Sequence, residues 1–346
     1  MVTTMKDVAK EAGVSVATVS RVINDSGFVS DELRDRVERV MKDLRYRPSN
    51  VARSLRKQET RTIAVMVPQL DLPFFSSLTL AIQQRLFEHN YYTFTCSTME
   101  SLEEEQAYID MLLGQRVDGV IIAPTGHNPE AVQRMADANV PIVLVDRDIP
   151  DITNIDRVLF DNHGGACMGA EHLVRMGHKQ ITIFGGPMHS EAIGQRIKGA
   201  SATLLRHAGV HFDVVVPASS ANQFESHFEA ATQVLSETNR PTAFFALTDD
   251  AAVAVIHAAR KMDLSVPDDL SVMGFDDVPV ASHVYPMLTT IAQPIRKMGQ
   301  TTADILLDRL EEPDRPTATV THEPRLIERH SITPPDDRTY GKATRN

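Results

Sequence analysis

Up to about residue 44 the apolar positions recur three and four apart, the spacing of one helix face. From Thr62 onward they gather instead into short β-branched runs separated by amphipathic stretches. The first regime predicts three helices. Thr4 stands where an N-cap belongs, with Asp7 three residues on as an approximate capping box, and Gly13 offers the left-handed backbone that ends a helix. Ser15 can cap the next helix, Val16–Asn24, while Ala9, Gly13, Val14, Val19 and Val22 are small or branched enough for two short helices to cross closely. A third helix starts from Ser30 and carries Leu33, Val37, Val40, Met41 and Leu44 on one stripe. Two short helices and a tight turn make a helix-turn-helix, and the three together make an all-α head.

The second regime predicts strands at 62–67, 92–97, 118–123, 141–146, 157–160, 180–185, 213–218, 242–247 and 270–275, with helix-length segments such as 101–116 between most of them. Near-continuous apolar strands alternating with helices indicate parallel sheets covered on both faces. Nine such units exceed one small sheet, so two doubly wound α/β lobes are expected. Ligands of such folds sit beyond the carboxyl ends of the strands. Phe74 and Phe75 follow the first strand, Asp146 and Arg147 end the fourth, and Arg196 lies in the helix after 180–185. Asp249 follows 242–247, Asp276 follows 270–275, and Gln293 comes just after the run "LTTIA". Aromatic faces with charged and amide groups suit a small polyol, its ring stacked and its hydroxyls held bidentately. Each residue alone has a structural use as well: Asp249 can cap a helix and Asp276 can hold a turn.

In the head, Val16, Ala17, Ser20 and Arg21 are left over once the miniature core is filled. The first residues of the second helix of a helix-turn-helix meet base edges in the major groove. Val16 and Ala17 can pack on thymine methyls, Arg21 can hold guanine O6 and N7 bidentately, and Thr18 and Ser20 can touch phosphates. After Pro48, residues 50–56 form at most a short basic helix with Val51, Ala52 and Leu55 on one face, too short to be stable alone. A leucine from such a helix can wedge between base steps of a minor groove; a plain linker is the alternative. Charge agrees with a DNA-binding head on a different body. Residues 1–61 carry 13 Lys and Arg against 9 Asp and Glu, a net of +4, which leaves −15 for the rest of a chain whose net charge is −11.

Composition and motifs exclude several classes. There is no apolar run of membrane-spanning length, no signal-peptide core, no phosphate loop, no GxSxG, no HExxH and no GxGxxG. His207 and His211 are four apart, but Gly209 interrupts their helix, so no metal is expected. Cys96 and Cys167 make neither a disulfide framework nor a zinc spacing and are expected to be buried thiols of a cytoplasmic protein. The expectation is no enzyme, no cofactor, no metal and no membrane partner.

Together "KDVAKEAGVSVATVSRVIN", "LRYRPSNVARSL", "QRVDGVII", "HLVRMGHKQI", "SVMGFDD" and "LTTIAQP" resemble, in order and spacing, the LacI/GalR family of bacterial transcription regulators over nearly the whole chain. The resemblance implies a homodimer on a palindromic double-stranded operator, with Val16, Ala17 and Arg21 reading bases and Leu55, beside Ala52, as a minor-groove wedge. It implies a helix-turn-helix domain at 1–48, a hinge helix and linker at 49–61, and a periplasmic-binding-protein-like effector domain at 62–335. The N-lobe would hold about 62–159 and 291–318, the C-lobe about 160–290 and 319–335, with a polar tail at 336–346. Asp146, Arg196, Asp276 and Gln293 match the family's usual ligand contacts, and Phe74-Phe75 resembles the ribose-binding variant. The chain departs from the pattern in having Leu72-Pro73 for the frequent Asn-Pro, Thr248 before Asp249 where an Asn is usual, and Asn222 near a usual aromatic for which Phe224 could substitute. The expected effector is a pentose or other small sugar, and the expected role a repressor of sugar uptake or catabolism genes. Two rivals remain at this stage. A sugar-metabolising enzyme with a DNA-binding head would turn over its sugar, and a constitutive DNA-binding protein with a vestigial pocket would ignore every small molecule.

Overall fold

Helix α1 (Met5–Ala12) begins at Thr4, whose hydroxyl accepts from the Asp7 amide while the Asp7 carboxylate accepts from the Thr4 amide at 2.8 Å. It ends at Gly13, with φ at +64°, and the turn to α2 (Val16–Ile23) closes as the Val14 amide donates to the Ala9 carbonyl at 3.0 Å. Ser15 caps α2 by accepting from the Thr18 amide. Ser30 precedes α3 (Asp31–Asp43) with extended backbone but makes no side-chain cap bond, so that cap is only conformational. Val8, Ala9, Ala12, Val19, Val22 and Val37 are the buried core of this head. A core of six small aliphatics is marginal, so caps worth ~1 kcal/mol each are a sizeable share of its stability.

A computed structural model describes residues 3–46, 59–126, 128–186, 190–217 and 223–336. It divides the chain into two units, Met1–Thr60 and Arg61–Asn346. The expected hinge helix at 50–56 lies outside the described residues. Among the described residues no helix is long and apolar enough to cross a membrane.

The second unit holds two six-stranded sheets. In chain order come β1 (Thr62–Val67), α4 (Pro73–Glu88), β2 (Tyr92–Ser97), α5 (Leu102–Gln115), β3 (Gly119–Ile122), α6 (Pro129–Asp137), β4 (Ile142–Val145) and β5 (Asp156–Phe160). Then follow α7 (Asn162–Arg175), β6 (Gln180–Phe184), α8 (Glu191–Leu204), β7 (His211–Val215), α9 (Gln223–Leu235), β8 (Ala243–Ala246) and α10 (Asp249–Lys261). The rest is β9 (Ser271–Asp276), α11 (Val280–His283), β10 (Thr289–Ala292), α12 (Ile295–Glu311), β11 (Thr319–His322) and β12 (Arg325–Ile327). The first sheet runs β11-β5-β4-β3-β1-β2, all parallel. The second runs β12-β10-β9-β8-β6-β7, parallel except that β12 pairs antiparallel with β10. This is the doubly wound α/β architecture expected from the alternation of strands and helices.

Three assignments shift. Residues 319–322, expected in the C-lobe, extend the first sheet by pairing with Arg157–Phe160 of β5. Residues 291 and 292, expected in the N-lobe, still pair with β9, so the chain leaves the second sheet only after Ala292. The polar run "TVTH" carries no apolar signal, and both places are decided by pairing partners rather than by local pattern. Strand β7 lies two residues before its apolar run because, as an exposed edge, its register follows β6. Cys96 is buried, whereas Cys167 is only half-buried.

Helices α7 and α8 pack so closely that a methyl at Gly199 would lie 2.3 Å from the His163 carbonyl oxygen. Gly194, on the same helix, has open space around it. Gly199→Ala should therefore lower stability in denaturant unfolding by about 1–3 kcal/mol, while Gly194→Ala should raise it by up to ~1 kcal/mol.

Candidate functional site

On the head, the start of α2 presents Val16, 42% exposed, together with Ala17 and the exposed side chain of Arg21. An apolar side chain is left in water there because the core is already closed by Val19 and Val22 on the opposite face. The Thr18 hydroxyl bonds the Ser15 hydroxyl at 2.9 Å, and the Ser20 hydroxyl and carbonyl both accept from the Asn24 amide, so these two groups also hold the ends of the helix. Phe28, in the loop after α2, is 93% exposed and was not singled out from the sequence. Loop periodicity carries no signal for it.

In the second unit a cavity of about 600 Å³ lies where the carboxyl ends of both sheets' strands meet. From the first lobe come Phe74 and Phe75, edge to face at 5.1 Å on the first turn of α4, and Asp146 and Arg147 after β4. The second lobe supplies Arg196 from α8, Thr248 at the N-cap of α10, and Asp276 at the end of β9. Asp146 and Asp276 both occupy positive-φ backbone, at +66° and +113°, where side chains other than glycine's are strained. Such strain turns each carboxylate out of its strand end toward the cavity.

The charges are largely paired. Arg147 holds Glu100 through two bonds of 2.8 and 3.0 Å, and its guanidinium sits 5.5 Å from the Phe75 ring. Arg196 donates to the Asn162 side chain, the Leu247 carbonyl and, at 3.0 Å, the Asp276 carboxylate, while lying 3.8 Å above the Phe275 ring. Gln293 donates to the same Asp276 oxygen at 2.7 Å. Burial pushes the Asp146 carboxyl up to about 6, against the pull of Arg147 and Arg196. Asp250 is also raised to about 6, by burial and then by Asp276 and Asp71. His227 is held below its ordinary value by burial, so its imidazole is neutral at pH 7. Among the described residues no cluster of His, Cys, Asp or Glu is placed to hold a metal ion.

Comparison with known proteins agrees with both regions. Residues 4–49 match the profile of bacterial regulatory proteins of the lacI family, and residues 170–332 match a periplasmic binding protein-like domain. The HTH-type transcriptional repressor PurR of Erwinia tasmaniensis is 35% identical over 332 residues, 95% of this chain and 96% of that protein. The chain belongs to the lacI family of bacterial regulatory proteins. It is a transcriptional repressor of that family and not an enzyme. A lac repressor dimer solved with operator and the anti-inducer ONPF superposes with a TM-score of 0.85 at 32% identity, covering 96% of this chain and all of that one. A LacI family transcriptional regulator from Enterococcus faecium, solved with bound ribose, gives 0.72 at 28% identity over 80% of this chain and all of that one.

For a lacI-family member, the cavity gathers most of the expected effector residues: Phe74, Phe75, Asp146, Arg147, Arg196, Thr248 and Asp276, with Phe224 beside them. Two expectations are corrected. Asp249 does not line the cavity; it is fully buried, accepting from the Val278 amide at 2.8 Å and the Thr290 hydroxyl at 2.6 Å. One residue along the helix rotates the side chain by about 100°, so Asp250 faces the cavity instead. Gln293 stands behind the wall and braces Asp276 rather than lining the space. Asn222, Ala52 and Leu55 lie outside the described residues. Sequence reasoning missed Glu100, Asp250, Gln69, Gln223 and His227. Asp250, Glu100 and Gln69 follow strand ends, a local signal that Gln223 and His227, in α9, lack.

Glu105 on α5 supports the site from behind. It is fully buried and accepts from the Thr125 amide at 2.6 Å, next to Pro124, whose carbonyl takes a bond from Arg147. Burial raises its carboxyl to about 7 from an ordinary 4.5. The folded chain thus holds this proton more tightly than the unfolded one, so the stabilisation is complete below about pH 4.5 and is lost as pH rises through 7. Glu105→Gln, which does not titrate, should exceed wild type in stability at pH 8 by on the order of 3 kcal/mol, and the advantage should shrink as pH falls and vanish only near pH 4.5. Thermal melts at both pH values measure it.

Proposed function

We propose that this repressor reads a palindromic operator as a homodimer in the cytoplasm and changes its DNA affinity when a small sugar, most simply a pentose, enters the cleft. The observation that carries the sugar reading is the cavity's combination of aromatic edges with fixed polar groups. Asp146 Oδ1 and Arg147 Nε, both buried, make no hydrogen bond, although Nε lies 3.9 Å from the other Asp146 oxygen, and they offer one acceptor and one donor. A hydroxyl satisfies both kinds of group, and a ring presents several of them. The ribose held by the Enterococcus faecium relative supports the same class.

Base reading falls to Val16, Ala17 and Arg21 at the exposed start of α2, with Thr18 and Ser20 on phosphates. The segment 49–61, with Ala52 and Leu55, is the proposed minor-groove element. The homodimer reading rests on the apolar face of α4 and the edge strand β2. Leu80, Phe87, Tyr92 and Phe94 are 53, 65, 65 and 41% exposed there, and Phe87 packs edge to face on Tyr92 at 6.2 Å. Such a contiguous patch on one edge calls for a partner surface. Ligand controls DNA only through a difference in its affinity for the two lobe arrangements.

Fluorescence anisotropy on DNA from upstream of the protein's own gene, at fixed salt, tests the reading. A pentose should shift operator affinity by tenfold or so, the size of an ordinary coupling energy. Asp146→Ala should abolish the shift while leaving the sugar-free affinity within about twofold. Arg21→Ala should cost about 1–3 kcal/mol and relax specificity at one base pair. Operator affinity indifferent to every sugar would sink the effector reading and favour a constitutive DNA-binding protein.

A further inference from the structure

The cleft's charges are unbalanced in a particular way. Among the described residues five carboxylates line it, those of Asp71, Glu100, Asp146, Asp250 and Asp276, against two guanidinium groups. Both cations are already engaged, Arg147 by Glu100 and, at 3.9 Å, by Asp146, and Arg196 by Asp276, Asn162 and the Leu247 carbonyl. Of the remaining carboxylates, Asp146 is 7% exposed and its Oδ1 has no partner. Asp250, from the second lobe, lies within electrostatic reach of Asp71, from the first, and of Asp276.

Helix N-termini are the usual place for an anion, because their free amides and dipole favour negative charge. Four helices start at this cleft, and three of them carry a carboxylate in the first turn that opposes an anion. Helix α4 begins with Pro73, so its first position has no amide hydrogen to offer, although the amides that follow are uncapped. Helix α8 carries Glu191 and helix α9 carries Glu225 in the first turn. Helix α10 is capped by the Thr248 hydroxyl and carries Asp249 and Asp250 in its first turn. The mouth is bridged between lobes by the Gln223 amide donating to the Gln69 side chain at 3.0 Å, a neutral contact that brings no cation to the entrance.

From this arrangement we infer that the cleft is a charge filter: it admits neutral or amine-bearing sugars and rejects phosphorylated sugars and sugar acids, with Asp71 and Asp250 at the mouth and Asp146 inside as the rejecting groups. The inference rests on the reading of the cleft as a sugar pocket. A phosphate entering here would meet, among the described residues, carboxylate oxygens and no cation that is not already engaged, and a dianion cannot supply the hydrogen that Asp146 Oδ1 lacks. A hydroxyl supplies that hydrogen and still accepts from Arg147 Nε. An ammonium supplies hydrogens and neutralises surplus charge as well.

Isothermal titration of the full chain with matched probes tests the filter: ribose with ribose 5-phosphate, glucose with glucose 6-phosphate, and glucosamine with its 6-phosphate. The expected result is that at least one unphosphorylated sugar binds and that its phosphorylated partner is weaker by at least about tenfold, ~1.4 kcal/mol. The double variant D71N/D250N should narrow that gap by several-fold, chiefly by strengthening the phosphorylated member. A phosphorylated sugar that binds as tightly as its parent, or a gap untouched in D71N/D250N, overturns the filter and leaves the sugar reading standing. If no member of any pair binds while operator binding is intact, the sugar reading itself falls, and the filter with it.

Discussion

The guanidinium of Arg196 joins four parts of the effector unit at one point. It reaches from α8 to the Asn162 side chain at the start of α7, to the Leu247 carbonyl beyond β8 and to Asp276 at the end of β9, lying flat on Phe275. A buried charge is tolerated only when paired and hydrogen-bonded, and here each direction of the planar fork finds an acceptor. The same pairing restrains Asp276 on its positive-φ backbone, with Gln293 as a second brace. The protein's own groups therefore fix this wall of the cleft. That preorganisation is what gives a small molecule leverage over the lobes.

Across the cleft the first lobe repeats the device. Arg147 is held by Glu100, itself carried on two successive positive-φ residues, Met99 and Glu100, and by the Pro124 carbonyl beside the Glu105-braced loop. Each lobe thus presents one strained carboxylate and one neutralised arginine toward the other. Bringing the lobes together sets Asp146 against Asp276, and Asp71 against Asp250, in like-charge opposition. On the proposed reading, a ligand rich in hydrogen-bond donors relieves that opposition when both lobes face it. This is a physical basis for a binding energy that differs between two lobe arrangements, the condition any effector must meet to influence DNA.

Much of this was legible in the chain. The strand-end rule located Phe74, Phe75, Asp146, Arg147, Arg196 and Asp276, because doubly wound sheets place those ends together whatever the loops contain, and the family pattern added Thr248. The rule failed where one residue of rotation or one layer of depth decided the outcome. Asp249 and Asp250 are indistinguishable in sequence, yet the first satisfies Val278 and Thr290 inside the second lobe and the second faces the cavity. Gln293 is one layer too deep. Glu100 follows a strand end too, but its partner is 47 residues away, and nothing near it announces a cation.

The sequence alone determined the head and the layered plan of the body. Caps at Thr4 and Ser15, the Gly13 turn and the spacing of apolar residues act within a few positions, so local pattern is enough to specify them. The exposed Val16 and Arg21 follow from the same arithmetic, as what remains when a small core is full. Tertiary structure alone decided the crossings after Ala292 and His322, the burial of Asp249, and the bond between Gln69 and Gln223, 154 residues apart. These depend on which strand is free to pair and which charge stands opposite, and such facts exist only once distant segments share one space.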